Sequence, residues 1–227
     1  MKQEIKAVIF DLDGTLLDTI HDIATSVNNG LIDLNIPPYS DEEYKYFVGE
    51  GVVKLMSRVL EKYPYAHGKE SFLLKRYMEE YAIHQHDTTK PYDGIMDLIA
   101  WLISNHIQVA VLSNKPHIDT LRVVEHHFPI LSNSYIMGKM DEFLPKPSPQ
   151  SLYALLQKLN VSNDQVLYVG DTATDMITAK SGDLTAVGVT WGFRQKEELI
   201  AANADKIVDH PDEIKQFIEK FRTSPRH

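Results

Sequence analysis

The stretch Val8-Ile9-Phe10-Asp11-Leu12-Asp13-Gly14-Thr15 constrains this chain more than any other: an apolar run breaks at once into two aspartates, a glycine and a threonine. Ala7 to Phe10 read as the end of a parallel strand, because a strand covered on both faces is apolar throughout. Residues directly after such a strand sit at its carboxyl edge, where open α/β sheets bind ligands. Strand alternation directs side chains to the faces of the sheet rather than beyond its end, so for both acids to enter one pocket at the strand end the loop must curl. Gly14 permits that curl. The plainer alternative is an Asp-Gly turn that caps the next helix.

After Thr15 the pattern becomes helical. Ile20, Ile23, Ala24, Val27, Leu31 and Leu34 recur at helical spacing until Pro37-Pro38. Ser40-Asp41-Glu42-Glu43 read as a new helix start, Val52 to Leu60 as a third helix, and about Lys69 to Ile83 as a fourth. No strand is expected between Thr15 and Gln108. This block, residues 16–88, is expected to form an all-helical cap, with the turn-rich Asp87 to Gly94 as its return joint. Residues 1–15 and 89–227 then form the core. A lid on two linkers at the strand ends can open for substrate and close against water. Lys54, Arg58, Arg76 and the Gly49 to Gly51 loop are its candidate substrate contacts, although a solvated helix face is the simpler reading of each basic residue.

From Ile95 helices and strands alternate. Ile107 to Leu112 is a strand running into Ser113-Asn114-Lys115-Pro116, with a helix starting at the proline. Tyr135 to Met137 is a weaker strand, and Leu144-Pro145-Lys146-Pro147 precedes a helix. Val166 to Val169 is followed by Gly170-Asp171-Thr172-Ala173-Thr174-Asp175, and Thr185 to Val189 by Thr190-Trp191-Gly192-Phe193. Lys206 to Val208 reads as an edge strand, Pro211 opens the last helix, and the tail after Arg222 is expected to fray. The fold class is α/β, a doubly wound parallel-sheet, Rossmann-like core with the small helical cap inserted.

The formal charge of -9 argues against a nucleic-acid backbone as partner, which demands a basic face. There are no cysteines, so disulfides, thiolate metal sites and a cysteine nucleophile are excluded. The apolar run after Met1-Lys2-Gln3-Glu4 is too short for a signal peptide or a membrane span, so a cytoplasmic, membrane-free protein is expected, as a monomer or homodimer. Among the ten histidines, His84-Gln85-His86 and His126-His127 look like metal pairs. Helix neighbours at those spacings do not share a face, so solvated surface is expected there.

In a parallel sheet the four polar strand ends lie on one edge, and residues far apart in sequence converge there. Several carboxylates sharing a site repel one another unless a cation sits among them, and oxygen ligands suit Mg²⁺. Thr15, Ser113 and the two lysines Lys115 and Lys146 supply donors for a tetrahedral anion such as phosphate. A hard cation, an anion cradle and a spare carboxylate are the components that phosphoryl transfer to an aspartate uses.

On these residues the chain resembles the haloacid dehalogenase superfamily, and within it the phosphoglycolate phosphatase-like branch. Asp11-Leu12-Asp13-Gly14-Thr15 is similar to the first motif, which implies Asp11 as nucleophile and Mg²⁺ ligand. Asp13 is implied as general acid/base, ligating Mg²⁺ through its carbonyl. Ser113-Asn114-Lys115 resembles the second motif, implying that Ser113 and Asn114 bind the phosphoryl group. Lys146 matches the charge-stabilising lysine of the third. Gly170-Asp171 with Asp175 matches the fourth, implying Asp171 as a direct metal ligand and Asp175 as direct or water-mediated support.

The helical block resembles the cap type inserted after the first motif. The second acid, Asp13, speaks against dehalogenation, and no cap lysine stands out as a Schiff-base former, Lys54 being the one to check. The expected activity is Mg²⁺-dependent hydrolysis of a small phosphorylated metabolite. A pyrophosphatase, a phosphomutase or a non-catalytic phosphate-binding protein are the other readings. Asp175 could instead only cap a helix, Lys115 could be a surface lysine, and Trp191 and Phe193 could be packing or substrate contacts.

Overall fold

The computed structural model describes residues 4–223, so the tail expected to fray lies, from residue 224 onward, outside the described residues. Strand β1 (Ala7–Phe10) leads into a two-residue strand β2 (Leu17–Asp18), followed by α1 (Ile20–Asp33), α2 (Asp41–Phe47), α3 (Val52–Leu60) and α4 (Glu70–His84). The chain returns through β3 (Lys90–Pro91) to α5 (Ile95–Ser104), β4 (Gln108–Pro116), α6 (His117–His127) and β5 (Ile136–Lys139). Then come α7 (Gln150–Leu159), β6 (Val166–Gly170), α8 (Ala173–Ser181), β7 (Thr185–Val189), α9 (Lys196–Ala201), β8 (Lys206–Val208) and α10 (Pro211–Thr223).

The main sheet has the order β5-β4-β1-β6-β7-β8 and its strands pair in parallel. Alternation along β1 explains its two-sided burial. Val8 and Phe10 pack with α5, α6 and α10 through Leu98, Val123 and Ile214. Ala7 and Ile9 face α7, α8 and α9 through Leu155, Met176 and Leu199. Because Ala7 pairs with Gln108 on one side and Val166 on the other, β1 ends between the ends of β4 and β6. That is the switch point at which a doubly wound sheet opens a crevice.

Helices α1 to α4 enclose their own apolar cluster, in which Val27, Tyr44, Met56, Val59 and Leu73 are buried. Helix α2 begins where the sequence predicts, with a reciprocal cap between Ser40 and Glu43. No helix among the described residues is long and apolar enough to cross a membrane.

Three sequence expectations need correction. The block between Thr15 and Gln108 does contain strands: Leu17 pairs with Pro91 and Asp18 with Lys90 in an antiparallel ribbon where the chain leaves and rejoins the core. Two-residue strands carry no periodicity to read. Strand β4 continues through Ser113, Asn114 and Lys115 to Pro116, so α6 starts at His117 rather than at the proline. Helix α9 falls in a stretch from which no element was expected.

The return joint is fastened by one carboxylate. Asp22, in the first turn of α1 and 2% exposed, accepts from the main-chain N–H groups of Thr88 and Thr89 and from both hydroxyls, at 2.6–3.2 Å. Burial opposes its ionisation, but these four donors outweigh burial and hold its pKa below the ordinary value. A depressed acid contributes stability above its unfolded pKa and loses it as pH falls through the folded one. Asp22→Ala is therefore expected to cost about 2–4 kcal/mol at pH 7. In urea unfolding across pH, the gap from the parent chain should shrink below about pH 4.

Candidate active site

At the end of β1 the Asp11 N–H still bonds the Val169 carbonyl, at 2.9 Å, and the chain then turns tightly, with Leu12 O accepting from the N–H groups of Leu16 and Leu17. Gly14 takes φ +88°, and a Cβ there would lie 2.4 Å from an Asp171 carboxylate oxygen. Glycine is required twice over at this point, by angle and by space. Gly192 meets the same turn from the β7 side: a Cβ would lie 2.3 Å from Gly14 O.

This close approach gathers the acids. Asp11, Asp171 and Asp175 are all buried, and one carboxylate oxygen from each lies within 4.8 Å of the others. Lys146 Nζ, also buried, donates to Asp11 Oδ1 at 2.9 Å, Asp175 Oδ1 at 2.7 Å, Leu112 O at 2.9 Å and Tyr168 OH at 3.2 Å. Asp171 accepts from the Thr15 hydroxyl at 3.1 Å and from the Phe193 N–H at 2.7 Å. Asp175 does more than cap a helix. One oxygen takes the Thr172 N–H and hydroxyl in a capping box at the start of α8, while the other faces Lys146.

Three carboxylates against one ammonium leave excess negative charge in a buried volume. Burial pushes the Asp11 carboxyl well above the ordinary range, with Asp175 and Asp171 adding to the push and Lys146 opposing it. Burial and the Asp175 carboxylate push Asp171 up to about 7. Burial alone would lower Lys146, but Asp11 and Asp175 hold it well above its ordinary value. The donor set fits a hard divalent cation: all oxygen, clustered, with unfavourable charge that a cation would relieve.

Above the cluster a small cavity of about 40 Å³ lies between core and cap. Its core side is Asp11, Asp13, Ser113, Asn114 and Lys115; its cap side is Ile23, Val48, Gly49, Gly51, Val52, Leu55 and Tyr77. Lys115 is not a surface lysine. Its Nζ bonds both oxygens of Asp13, at 2.9 and 3.2 Å, and lies 4.6 Å from the centre of the Tyr81 ring. Burial opposes its charge, but Asp13 and Tyr77 outweigh that and raise its pKa.

Other predicted residues are placed differently from their expected roles. The Thr15 hydroxyl is turned to Asp171 and lies outside the cavity lining. The Asn114 side chain is a clamp: Nδ2 donates to Lys146 O and to Gly49 O of the cap, both at 3.0 Å, while Oδ1 accepts the Lys146 N–H at 2.7 Å. Arg58 turns to Phe47 O and Glu50, Arg76 to Asp33, Glu79 and Glu80, and Lys54 is exposed. None of the three basic residues lines the cavity. Trp191 and Phe193 pack: Trp191 Nε1 donates to Thr15 O at 3.0 Å, and the Phe193 ring joins the cap's apolar cluster.

Sequence reasoning missed Arg194, whose guanidinium donates to Val48 O at 2.8 Å and sits over the Tyr46 ring, fastening the cap loop to the core. Its place directly after Trp191-Gly192-Phe193 was the available signal. Tyr168, which bonds Lys146, was hidden inside an apolar strand.

The profile of the haloacid dehalogenase-like hydrolases matches residues 8–189. The chain belongs to that family. A phosphoglycolate phosphatase of Pseudomonas putida is 29% identical over 214 residues, covering 90% of this chain and 76% of that one. A phosphoglycolate phosphatase of Vibrio parahaemolyticus is 28% identical, covering 96% and 97%. The crystal structure of a candidate phosphoglycolate phosphatase from Lactobacillus delbrueckii subsp. bulgaricus superposes with a TM-score of 0.88 at 30% identity, covering 96% of this chain and 99% of that one. By its family the chain is a hydrolase.

Lys146 is the counter-charge on which the acidic cluster rests. Lys146→Met is expected to destabilise the metal-free hydrolase by about 3–5 kcal/mol in urea unfolding, because it strands two buried carboxylates. Adding Asp175→Asn to that variant should recover part of the loss.

Proposed function

We propose that this hydrolase is a Mg²⁺-dependent phosphatase acting on a small phosphomonoester, 2-phosphoglycolate or a compound of similar size, through a phosphoaspartate on Asp11. The observation that carries the reading is the convergence of Asp11, Asp13, Ser113 and Lys115 on one cavity, directly over a buried acidic cluster with its own lysine. The relatives named as phosphoglycolate phosphatases support the substrate class.

Each residue has a task in this reading. An Asp11 oxygen attacks phosphorus as the bond to the leaving alkoxide breaks, and Asp13 gives that oxygen its proton. Asp13 then takes a proton from the water that attacks the phosphoaspartate, releasing inorganic phosphate and restoring Asp11. Ser113 and Lys115 donate to phosphoryl oxygens, and Lys146 holds Asp11 in place through a bond to one oxygen, leaving the other for attack. Asp11, Asp171 and the Asp13 carbonyl, with support from Asp175, would hold Mg²⁺, whose charge when bound would offset that of the phosphoryl oxygens. Thr15 and Phe193 orient Asp171 for that role.

The cavity's dimensions and lining favour a compact substrate. The cap side contributes apolar side chains, glycines and Tyr77, but no charged side chain. It does contribute the first turn of α3, since Gly51 is the N-cap of that helix and both Gly51 and Val52 line the cavity. Leading N–H groups of a helix have no partner within it and favour anions, which suits a carboxylate beyond the phosphoryl group.

A screen of phosphometabolites is expected to show Mg²⁺-dependent phosphate release, abolished by EDTA, with 2-phosphoglycolate hydrolysed faster than hexose phosphates. Asp11→Asn should lower turnover by about 10³-fold or more; ordinary turnover in that variant would remove the nucleophile from the scheme.

Proton linkage gives a second check. An acid raised in the folded chain holds a proton that the unfolded chain has lost, so its contribution to metal-free stability falls as pH rises from about 4 to about 7. Mg²⁺ must displace that proton below pH 7 but not above it. The rise in Tm on adding Mg²⁺ is therefore expected to be larger at pH 8 than at pH 5.5.

A further inference from the structure

The histidines expected on solvated surface form a cluster. His86, between α4 and the return joint, meets His126 and His127 at the carboxyl end of α6. The ring centres lie 4.2 Å apart for His86 and His126, 4.7 Å for His126 and His127, and 5.6 Å for His86 and His127. One ring nitrogen from each lies within 4.8 Å of the others. His126 is exposed as expected and His86 and His127 are partly buried; comparing neighbours along one helix did not show the cluster, because the third ring arrives from the other side of the cap joint.

We propose that His86, His126 and His127 form a second metal site, for one divalent transition-metal ion of the Zn²⁺ class, that ties the cap's return joint to the core. Two observations beyond proximity point to a ligand. His86 Nδ1 and His127 Nε2 are buried and have no hydrogen-bond partner, although buried polar atoms are ordinarily satisfied. The third ring, His126, is exposed, so it is free to swing inward and leaves a side open for solvent to complete the coordination.

The chemistry of the donor set separates this site from the carboxylate cluster. Neutral imidazoles suit Zn²⁺, Cu²⁺ or Ni²⁺, whereas Mg²⁺ prefers oxygen. Burial and the neighbouring imidazoles of His126 and His86 bring His127 down to about 4, and burial lowers His86 too, so both keep a lone pair at neutral pH. A tetrahedral ion with Zn–N bonds of about 2.0–2.1 Å needs nitrogens roughly 3.3 Å apart. The largest closure required, from 4.8 Å, is within reach of side-chain rotation. His84 stands outside the cluster, its ring held by Asp87 at 2.8 Å.

The test is equilibrium dialysis of the untagged chain against micromolar Zn²⁺ with millimolar Mg²⁺ present, followed by elemental analysis. One retained Zn²⁺ per chain is expected in the parent, in Asp171→Asn and in His84→Asn, with affinity at least tenfold weaker in His126→Asn and in His127→Asn. Co²⁺ in place of Zn²⁺ should give visible absorption bands that the same two substitutions remove. His126 is exposed, so His126→Asn decides the matter even if His127→Asn does not fold. The proposal is overturned if no Zn²⁺ is retained, if Asp171→Asn abolishes retention, or if His126→Asn retains it as the parent does.

Discussion

Everything at the carboxyl edge of this sheet depends on keeping three buried carboxylates together. One ammonium, that of Lys146, answers two of them directly, and the Thr15 hydroxyl and Phe193 N–H answer the third. The balance is incomplete in charge: Asp11 and Asp171 both resist ionisation. A site neutral and comfortable without a cation would have no use for one. Stability is given up locally in a form that a bound divalent ion can restore.

The fold makes that concentration of charge possible by bringing three strands to one point. With β1 central and β4 and β6 beside it, Asp11, Ser113 and Asp171 each stand one residue past an apolar strand core or at its polar end. Gly14 and Gly192 then let the loop after β1 meet those after β6 and β7. Asn114 links the remaining pieces, since a single side-chain amide holds both the Lys146 segment and the Gly49 carbonyl of the cap. Cap position and lysine position are thus set by the same group.

Much of this was legible in the sequence because its signals are abrupt. An apolar run ending in Asp11 and another ending in Asp171 read as strands leading into polar loops, and the helical spacing from Ile20 to Tyr81 read as an insertion between them. The features that escaped reading share one property: they depend on partners distant in sequence or on direction. Thr15 was legible as a hydroxyl near the site, but not that the hydroxyl turns to Asp171. Arg58 and Arg76 were visible as cations, but not their engagement by Glu50 and Asp33. His86 and His127 looked ordinary until folding brought α6 beneath the cap joint. Ribbons of two residues, such as β2 and β3, lie below the length at which alternation exists.

That ribbon has a consequence for how such a protein can change. The cap hangs from the core by Leu17 and Asp18 going out and Lys90 and Pro91 coming back, a seam two residues deep. None of the charge cluster lies within the seam or beyond it. An insert of different length or shape could be grafted across those four positions without shifting Asp11, Asp171, Asp175 or Lys146 along the chain, provided it offered Asn114 a carbonyl in place of that of Gly49, so selectivity and chemistry are free to diversify on largely separate clocks.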